Sequence, residues 1–375
     1  MDLQDTPALQ RRLFREKRAQ LEQHLNLPLL LFWGKGGGFN IRALTLAEDF
    51  SRPAFVLCEP GGRTTAVAHA IETDQLTPLA DRVEVIPYRT TAELEAALGP
   101  RLRPHRRVAV EISDHFYGFD LLTPRYLKFI ADFAELRVAD DILVPFRAVK
   151  TPVELQIMKE ASTATMKTFA ALAGEVAPGR TEDELLRFIE MAAVRAGGQQ
   201  AFPPIVAAGP RSENPHPLRR SSRRIEAGER VVVDCGVDLL GYKADVTRTY
   251  VAGGSPSDDP FYHISVELQE LVKGADLKRM TPAALGRAAA EMVQKAGLGR
   301  FERHGYGHGL GVETHDPHPY IAAAGSKWLD KPFEDGMVFT FEPGFYDGRG
   351  GFRLEDDYVV RRGRAVPMQD FTPPA

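Results

Sequence analysis

The chain has 375 residues, 43 % of them apolar and 26 % charged, with a formal net charge of −4; this is ordinary globular composition at a length that suits two domains. The slight acidity gives no electrostatic case for nucleic acid, two cysteines cannot build a disulfide framework, and no apolar run approaches the length of a membrane span. With a first stretch too charged for a signal peptide (MDLQDTPALQRRLFREKR), the expectation is a soluble cytoplasmic protein with neither nucleic-acid nor membrane partners.

Residues 6–25 read as an amphipathic helix, with Pro7 near its start and Leu9, Leu13, Leu21 and Leu25 at roughly helical spacing. Short apolar runs then alternate with helical stretches: Leu29–Trp33, Ala54–Cys58, Val83–Pro87 and Val108–Glu111. That alternation predicts an α/β domain over residues 1–147, and it holds no cluster of catalytic residue types. Lys35-Gly36-Gly37-Gly38 lacks the Gly-Lys-Ser/Thr that would make it a phosphate loop and reads as a flexible loop. The basic stretch 101–107, interrupted by Pro104, reads as solvated surface.

A boundary at 145–151 opens a second domain, 148–375. Thr151, Pro152 and Glu154 have the form of a capped helix start, Thr181-Glu182-Asp183-Glu184 repeats it, and Thr281-Pro282 opens a further helix after a helical stretch at 261–275. Each half of the domain therefore runs helix, helix, hairpin, which implies an internal two-fold. Between the halves, a Pro- and Gly-containing loop (202–210) leads to His216 and to the arginines at 219, 220, 223 and 224. By residue type alone these are an ordinary loop histidine and an exposed basic loop.

The chemistry concentrates in the last third. Val231-Val232-Val233 and residues 243–251 flank Asp238-Leu239-Leu240-Gly241 as a hairpin. A turn centred there sets Asp234 directly opposite Asp245, with Cβ atoms roughly 5 Å apart. Glu342 ends a second apolar run (337–341), a glycine-rich turn follows, and Glu355 returns, although Pro343 loosens the expected register. Carboxylates packed this closely repel unless cations lie between them or protons are taken up. Between the hairpins, His308 sits in Gly305-Tyr306-Gly307-His308-Gly309-Leu310-Gly311, which fails the GxGxxG pattern of a nucleotide loop. His304 and His315 flank it, and a purely structural role for these histidines is the competing reading.

Asp234, Asp245, His308, Glu342 and Glu355, in that order and within the strings ADVTRT, GHGLGVETHD, FEPG and RLEDD, resemble the ligand set of the dinuclear "pita-bread" metallopeptidases, and within them the Xaa-Pro peptidases (prolidase and aminopeptidase P). The resemblance covers roughly residues 150–375. It implies an α+β pita-bread catalytic domain with an internal pseudo-two-fold, behind a smaller α/β N-terminal domain that serves dimerisation and active-site access. It also implies that Asp234 and Asp245 hold one ion, that His308 and Glu342 hold the other, and that Asp245 and Glu355 bridge. One histidine and four carboxylates suit several first-row ions, so ligand type does not settle the metal; the expectation is two divalent cations, Mn²⁺ first and Co²⁺, Zn²⁺ or Fe²⁺ as alternatives.

By the same resemblance Glu342 passes a proton, His216 and His315 hold substrate or stabilise the oxyanion, and Arg353 orients a carboxylate or holds substrate. The implied substrates are proline-containing di- or oligopeptides, with Xaa-Pro dipeptides preferred and longer peptides the alternative; a homodimer is the implied assembly. One departure is Tyr320, which stands where prolidases often carry an arginine for the dipeptide's carboxylate. Metal-free creatinase-like enzymes and non-catalytic binding modules of this fold are expected to lack an intact ligand set, and methionine aminopeptidases lack so long an N-terminal domain.

Overall fold

The computed structural model of the protein describes residues 5–34, 37–48, 50–113, 122–218, 220–322 and 330–370; Lys35, Gly36 and Arg219 lie outside them. The chain divides into two compact units, one of residues up to Arg147 with Thr151–Val153, the other of Ala148–Lys150 with everything from Glu154 onward. Among the described residues no helix is long and apolar enough to cross a membrane.

In the first unit, helix α1 (Thr6–Glu22) is capped by the Asp5 carboxylate, which accepts from Ala8 N at 3.1 Å, and buries Leu9, Leu13 and Leu21. Strand β1 (Leu29–Trp33), helix α2 (Phe39–Thr45) and strands β2 (Ala54–Cys58), β3 (Thr64–His69) and β4 (Glu84–Tyr88) follow. Helix α3 (Thr91–Leu102), strand β5 (Arg107–Val110), helix α4 (Pro124–Ala131), strand β6 (Glu135–Val138) and helix α5 (Asp140–Ala148) complete the unit. One six-stranded sheet, in the order β4-β3-β2-β1-β5-β6, carries it. β1 and β2 are buried along their whole length, which is why they read as unbroken apolar runs rather than alternating ones. The parallel pairs β4/β3, β1/β5 and β5/β6 need crossovers; α4 supplies that from β5 to β6, and a 3₁₀ segment (Thr73–Leu79) lies in that from β3 to β4.

The second unit runs twice through a helix pair and a set of strands. Helix α6 (Pro152–Leu172) and helix α7 (Glu182–Arg195) precede β7 (Gln199–Gln200), β8 (Ile205–Ala208), β9 (Arg230–Cys235), β10 (Val237–Leu239), β11 (Tyr242–Lys243) and β12 (Val246–Val251). Helices α8 (Tyr262–Gly274) and α9 (Pro282–Lys295) precede β13 (Gly307–Gly309), β14 (Asp316–Ile321), β15 (Val338–Phe341), β16 (Gly344–Tyr346), β17 (Gly351–Arg353), β18 (Asp356–Arg361) and β19 (Arg364–Pro367). α7 starts with a full capping box between Thr181 and Glu184, and at α9 the Thr281 hydroxyl accepts from Ala284 N at 3.2 Å. Each half has its own apolar core. One gathers Leu185, Leu186 and Ile189 of α7 against Val231 and Val233, the other Leu268 and Leu285 against Phe339 and Phe341. The fold is the α/β unit plus α+β pita-bread unit expected from the sequence.

The two hairpins differ in register. In the first, Leu239 faces Tyr242 and Asp234 faces Thr247. The turn is therefore Leu240-Gly241, one residue further on than the sequence suggested, with φ of 52° and 86° at its two positions. Positive φ at both central residues matches the right-handed twist of the flanking strands, and Gly241 takes it without strain. Asp234 and Asp245 consequently share a face as diagonal neighbours rather than as a directly opposed pair. In the second hairpin Phe341 faces Asp356 before Pro343, and Gly344 faces Arg353 after it. The register survives the proline, and Glu342 stands directly across from Glu355.

Candidate metal centre

His308 is brought to the acids by its two glycines. A Cβ on Gly307 would lie 2.0 Å from Thr340 O, and one on Gly309 would lie 2.6 Å from His318 O. Only glycine lets β13 press so closely between β14 and β15. His308 Nδ1 lies 3.0 Å from Gly309 O. A carbonyl can only accept, so Nδ1 carries the proton and Nε2 presents its lone pair. That lone pair points at carboxylates, 3.7 Å from Asp245 Oδ2 and 3.6 Å from Glu342 Oε1. The ring stays neutral, because burial, helped by the neighbouring His315, pushes its pKa down to about 3.

The acids are equally deep. Asp234, Asp245 and Glu355 are 8 %, 4 % and 2 % exposed, so each is far from the solvent that normally stabilises a carboxylate. Burial first, and the neighbouring carboxylates second, hold Asp245 and Glu355 well above the ordinary carboxylate range. Burial likewise pushes Glu342 up to about 7, with Arg353 opposing and Asp234 adding to the rise. Ligand atoms of Asp245, His308 and Glu355 lie within 4.8 Å of one another. Asp234 Oδ1 is buried with no hydrogen-bond partner. A deprotonated imidazole nitrogen, an orphaned carboxylate oxygen and several acids with raised pKa values around one point are an arrangement that divalent cations would stabilise, so the residues present fit a metal pair.

Asp245 owes its position to a break in the strand. Its N–H leaves the ladder and donates to Asp357 Oδ2 at 3.1 Å. The break needs Gly236, where a Cβ would lie 1.6 Å from Ala244 O. Glu355 is set by Thr247, whose hydroxyl donates to Oε2 at 2.6 Å and whose carbonyl accepts from Glu355 N at 3.1 Å.

All five sequence-predicted ligand residues line one cavity of ≈ 520 Å³, together with His216, His315, Arg353 and Tyr320. His315 stacks edge-on against His308, ring centroids 4.1 Å apart, and partial desolvation together with His216 lowers its pKa. His216 is placed by its main chain, its N–H donating to Asn214 Oδ1 at 3.0 Å. Arg353 donates from all three nitrogens: Nη2 to Asp234 Oδ2 at 2.5 Å, Nη1 to Tyr346 OH at 3.2 Å and Nε to Thr247 Oγ1 at 3.1 Å. Its guanidinium is thus engaged in orienting a carboxylate. Among the described residues, the arginines after His216 are absent from the cavity wall: Arg220 pairs with Asp183, Arg223 with Glu229, and Arg224 donates to Gly179 O at 2.7 Å, while Arg219 lies outside the described residues.

Three contributors, Tyr346, Thr247 and Asp357, carried no distinct signal in the sequence, whereas His304 stood out there as one of three clustered histidines with a structural role as the competing reading. His304 lines the cavity; its Nδ1 lies 2.8 Å from Gly305 O, so its Nε2 accepts from Tyr346 OH at 2.9 Å. Burial, with Arg353 nearby, pushes His304 down to about 4 and keeps it neutral. Tyr346 completes a directed chain, Arg353 to Tyr346 to His304. Thr247 and Asp357 sit inside the quoted strings, and their partners become visible only through register.

The model of metallopeptidase family M24 matches residues 156–362. A curated Xaa-Pro dipeptidase from Pyrococcus furiosus is 34 % identical over 235 residues, which span 62 % of this chain and 66 % of that relative's length. The uncharacterized peptidase YqhT of Bacillus subtilis is 30 % identical over 86 % of this chain and 88 % of its own. Among solved structures, dipeptidase PepE from Mycobacterium ulcerans superposes with a TM-score of 0.80 at 28 % identity, covering 98 % of this chain and 97 % of that one.

Proposed function

The chain belongs to metallopeptidase family M24, a membership that brings divalent metal with it, and from that premise we propose that it hydrolyses Xaa-Pro dipeptides. The observation that carries the proposal is the convergence of Asp234, Asp245, His308, Glu342 and Glu355 on one cavity. In this reading Asp234 and Asp245 would hold one ion and His308 and Glu342 the other, with Asp245 and Glu355 shared between them, and Mn²⁺ is the favoured metal. Two such ions would activate a water and polarise the scissile carbonyl.

The protein's own groups do the rest. Glu342, on the cavity wall with its Oε1 3.6 Å from His308 Nε2, would accept the proton as the water attacks and deliver it to the departing proline nitrogen. His315 and His216, on the cavity wall, meet the carbonyl oxygen or the substrate ends. Arg353 holds Asp234 in place. A Xaa-Pro bond has no N–H, so the site needs no acceptor at that nitrogen. A cytoplasmic setting is supported by two free, buried cysteines, Cys58 and Cys235; a homodimer rests on the family resemblance.

Tyr320 favours a second reading, an Xaa-Pro aminopeptidase acting on longer peptides. It is 48 % exposed on the cavity wall, and among the described residues Arg353 is the sole arginine or lysine there. A dipeptide's carboxylate would therefore rely on the histidines. The deciding experiment is hydrolysis of a Xaa-Pro dipeptide beside a Xaa-Pro-Yaa tripeptide after chelation and return of Mn²⁺, Co²⁺ or Zn²⁺. Metal-restored cleavage of the dipeptide alone is expected; cleavage of the tripeptide moves the assignment to an aminopeptidase, and cleavage of neither removes the proline-peptidase reading.

A further inference from the structure

Thr247 joins the two hairpins at one buried point. It stands directly across from Asp234 in the first hairpin and is 0 % exposed. Its hydroxyl lies 2.6 Å from Glu355 Oε2 and 3.1 Å from Arg353 Nε, both in the second hairpin. The direction of these bonds follows from the donors. An arginine nitrogen can only donate, so Thr247 Oγ1 accepts from Arg353 and its own hydrogen has to go to Glu355. Oε2 of Glu355 is thereby committed as an acceptor, and the plane of that carboxylate is fixed by a group on the opposite hairpin.

The backbone reinforces the joint. Glu355 N donates to Thr247 O at 3.1 Å, and Arg248 Nη1 donates both to Thr247 O at 3.0 Å and to Glu355 O at 2.6 Å. Main chain alone would keep the strands adjacent, but it does not direct the buried Glu355 carboxylate. The hydroxyl does. Asp234 is held by the same arginine, through Nη2, so Thr247 and Arg353 together set the spacing between a carboxylate of one hairpin and a carboxylate of the other.

We propose that Thr247 is a positioning residue that aims Glu355 and thereby makes the site bind two ions rather than one. This rests on the metal-centre reading above and adds a role for a residue that is not among those lining the cavity. Partners that orient a ligand typically change metal affinity 10–100-fold when lost. Thr247→Val keeps the shape and removes the hydrogen bonds; Thr247→Ser keeps them.

The test titrates Co²⁺ into the chelated, full-length protein and follows both the number of ions bound and the visible absorption of bound Co²⁺. The unsubstituted protein and Thr247→Ser are expected to bind two ions with the same spectrum. Thr247→Val is expected to bind the second ion about 10–100-fold more weakly, with a changed spectrum. If Thr247→Val does not fold, Thr247→Ala carries the same comparison. Two ions bound with unchanged affinity and spectrum in the folded variant overturn the proposal while leaving the metal centre standing. A general loss of stability without a change in ion stoichiometry also overturns it. Failure of the unsubstituted protein to bind two ions removes the metal-centre reading itself, and this role for Thr247 with it.

Discussion

Arg353 Nη2 lies 2.5 Å from Asp234 Oδ2, each side chain being more than nine-tenths or nearly nine-tenths buried, at 3 % and 8 % residue exposure. This ion pair opposes the mutual repulsion of the acids. Because it uses one arm of a fork whose other nitrogens are also engaged, a compact ammonium cannot replace it. Arg353→Lys should therefore fold but lose on the order of 10²-fold in kcat/KM, as a misdirected carboxylate partner does. Steady-state kinetics with a thermal melt check it; near-parental activity would show that charge alone suffices.

Glu342 is the proposed proton carrier. Glu342→Gln keeps the shape and removes the exchangeable proton, so kcat should fall by roughly 10²–10⁴-fold. Comparing kcat for dipeptide hydrolysis at saturating metal separates this from weakened ion binding. A loss that added metal fully reverses would assign Glu342 to binding only.

The acid cluster makes the metal-free protein sensitive to pH. Burial raises Glu342 from an ordinary 4.5 to about 7, and burial together with the neighbouring carboxylates raises Asp245 and Glu355 as well. The folded state therefore holds protons that the unfolded chain has released. Stability from Glu342 is fully present below about pH 4.5 and is lost as pH rises through about 7. His304 and His308, held neutral at about 4 and about 3, act in the opposite sense over the same range, because the unfolded chain protonates them as pH falls through about 6.5. The Glu342 part is therefore read as a difference: from about pH 5.5 to about pH 8 the chelated parent should lose more stability than chelated Glu342→Gln, and saturating Mn²⁺ should shrink that difference. Identical pH dependence of the two melts would contradict the assignment.

Gly236→Ala places a methyl group 1.6 Å from Ala244 O, against backbone that cannot move aside without shifting Asp245. The expected outcome is a destabilisation of about 1–3 kcal/mol or more, as for overpacked cores, accompanied by weakened metal binding. Urea denaturation and ion titration of the same variant test both parts.

Tyr320→Arg would add a cation to a cavity wall that among the described residues offers only Arg353, already engaged. KM for Xaa-Pro dipeptides should fall about tenfold, the scale of one charge-assisted hydrogen bond, with little change for a Xaa-Pro-Yaa tripeptide. An equal effect on both substrates would place the carboxylate elsewhere.

Much of this was legible from residue order. β1 and β2 span the same residues as the apolar runs that announced them, Leu29–Trp33 and Ala54–Cys58. The ligand set was legible because carboxylates ending apolar strands are chemically anomalous. Register was less so. The turn at Leu240-Gly241 against one centred a residue earlier is decided by which residues accept positive φ, and that shift turns the Asp234–Asp245 pair from opposed to diagonal. Pro343 looked disruptive yet left the Glu342–Glu355 pairing intact, because the bonds on either side of it hold the ladder. His304 and Tyr346 are 42 positions apart, and their hydrogen bond depends on a strand packing that local pattern does not encode.

Each half of the second unit packs around its own apolar core, while the four acids and one histidine are divided between them: Asp234 and Asp245 come from one half, His308, Glu342 and Glu355 from the other. Neither half alone presents a complete coordination sphere. An ion bound across this seam behaves as a rivet, and its binding free energy opposes any excursion in which the halves part, even if each stays internally folded. Occupancy of the centre is therefore a measure of closure as well as of catalysis. Hydrogen exchange of β9 and β15 should slow together as metal is added, although no ion touches most of their amides.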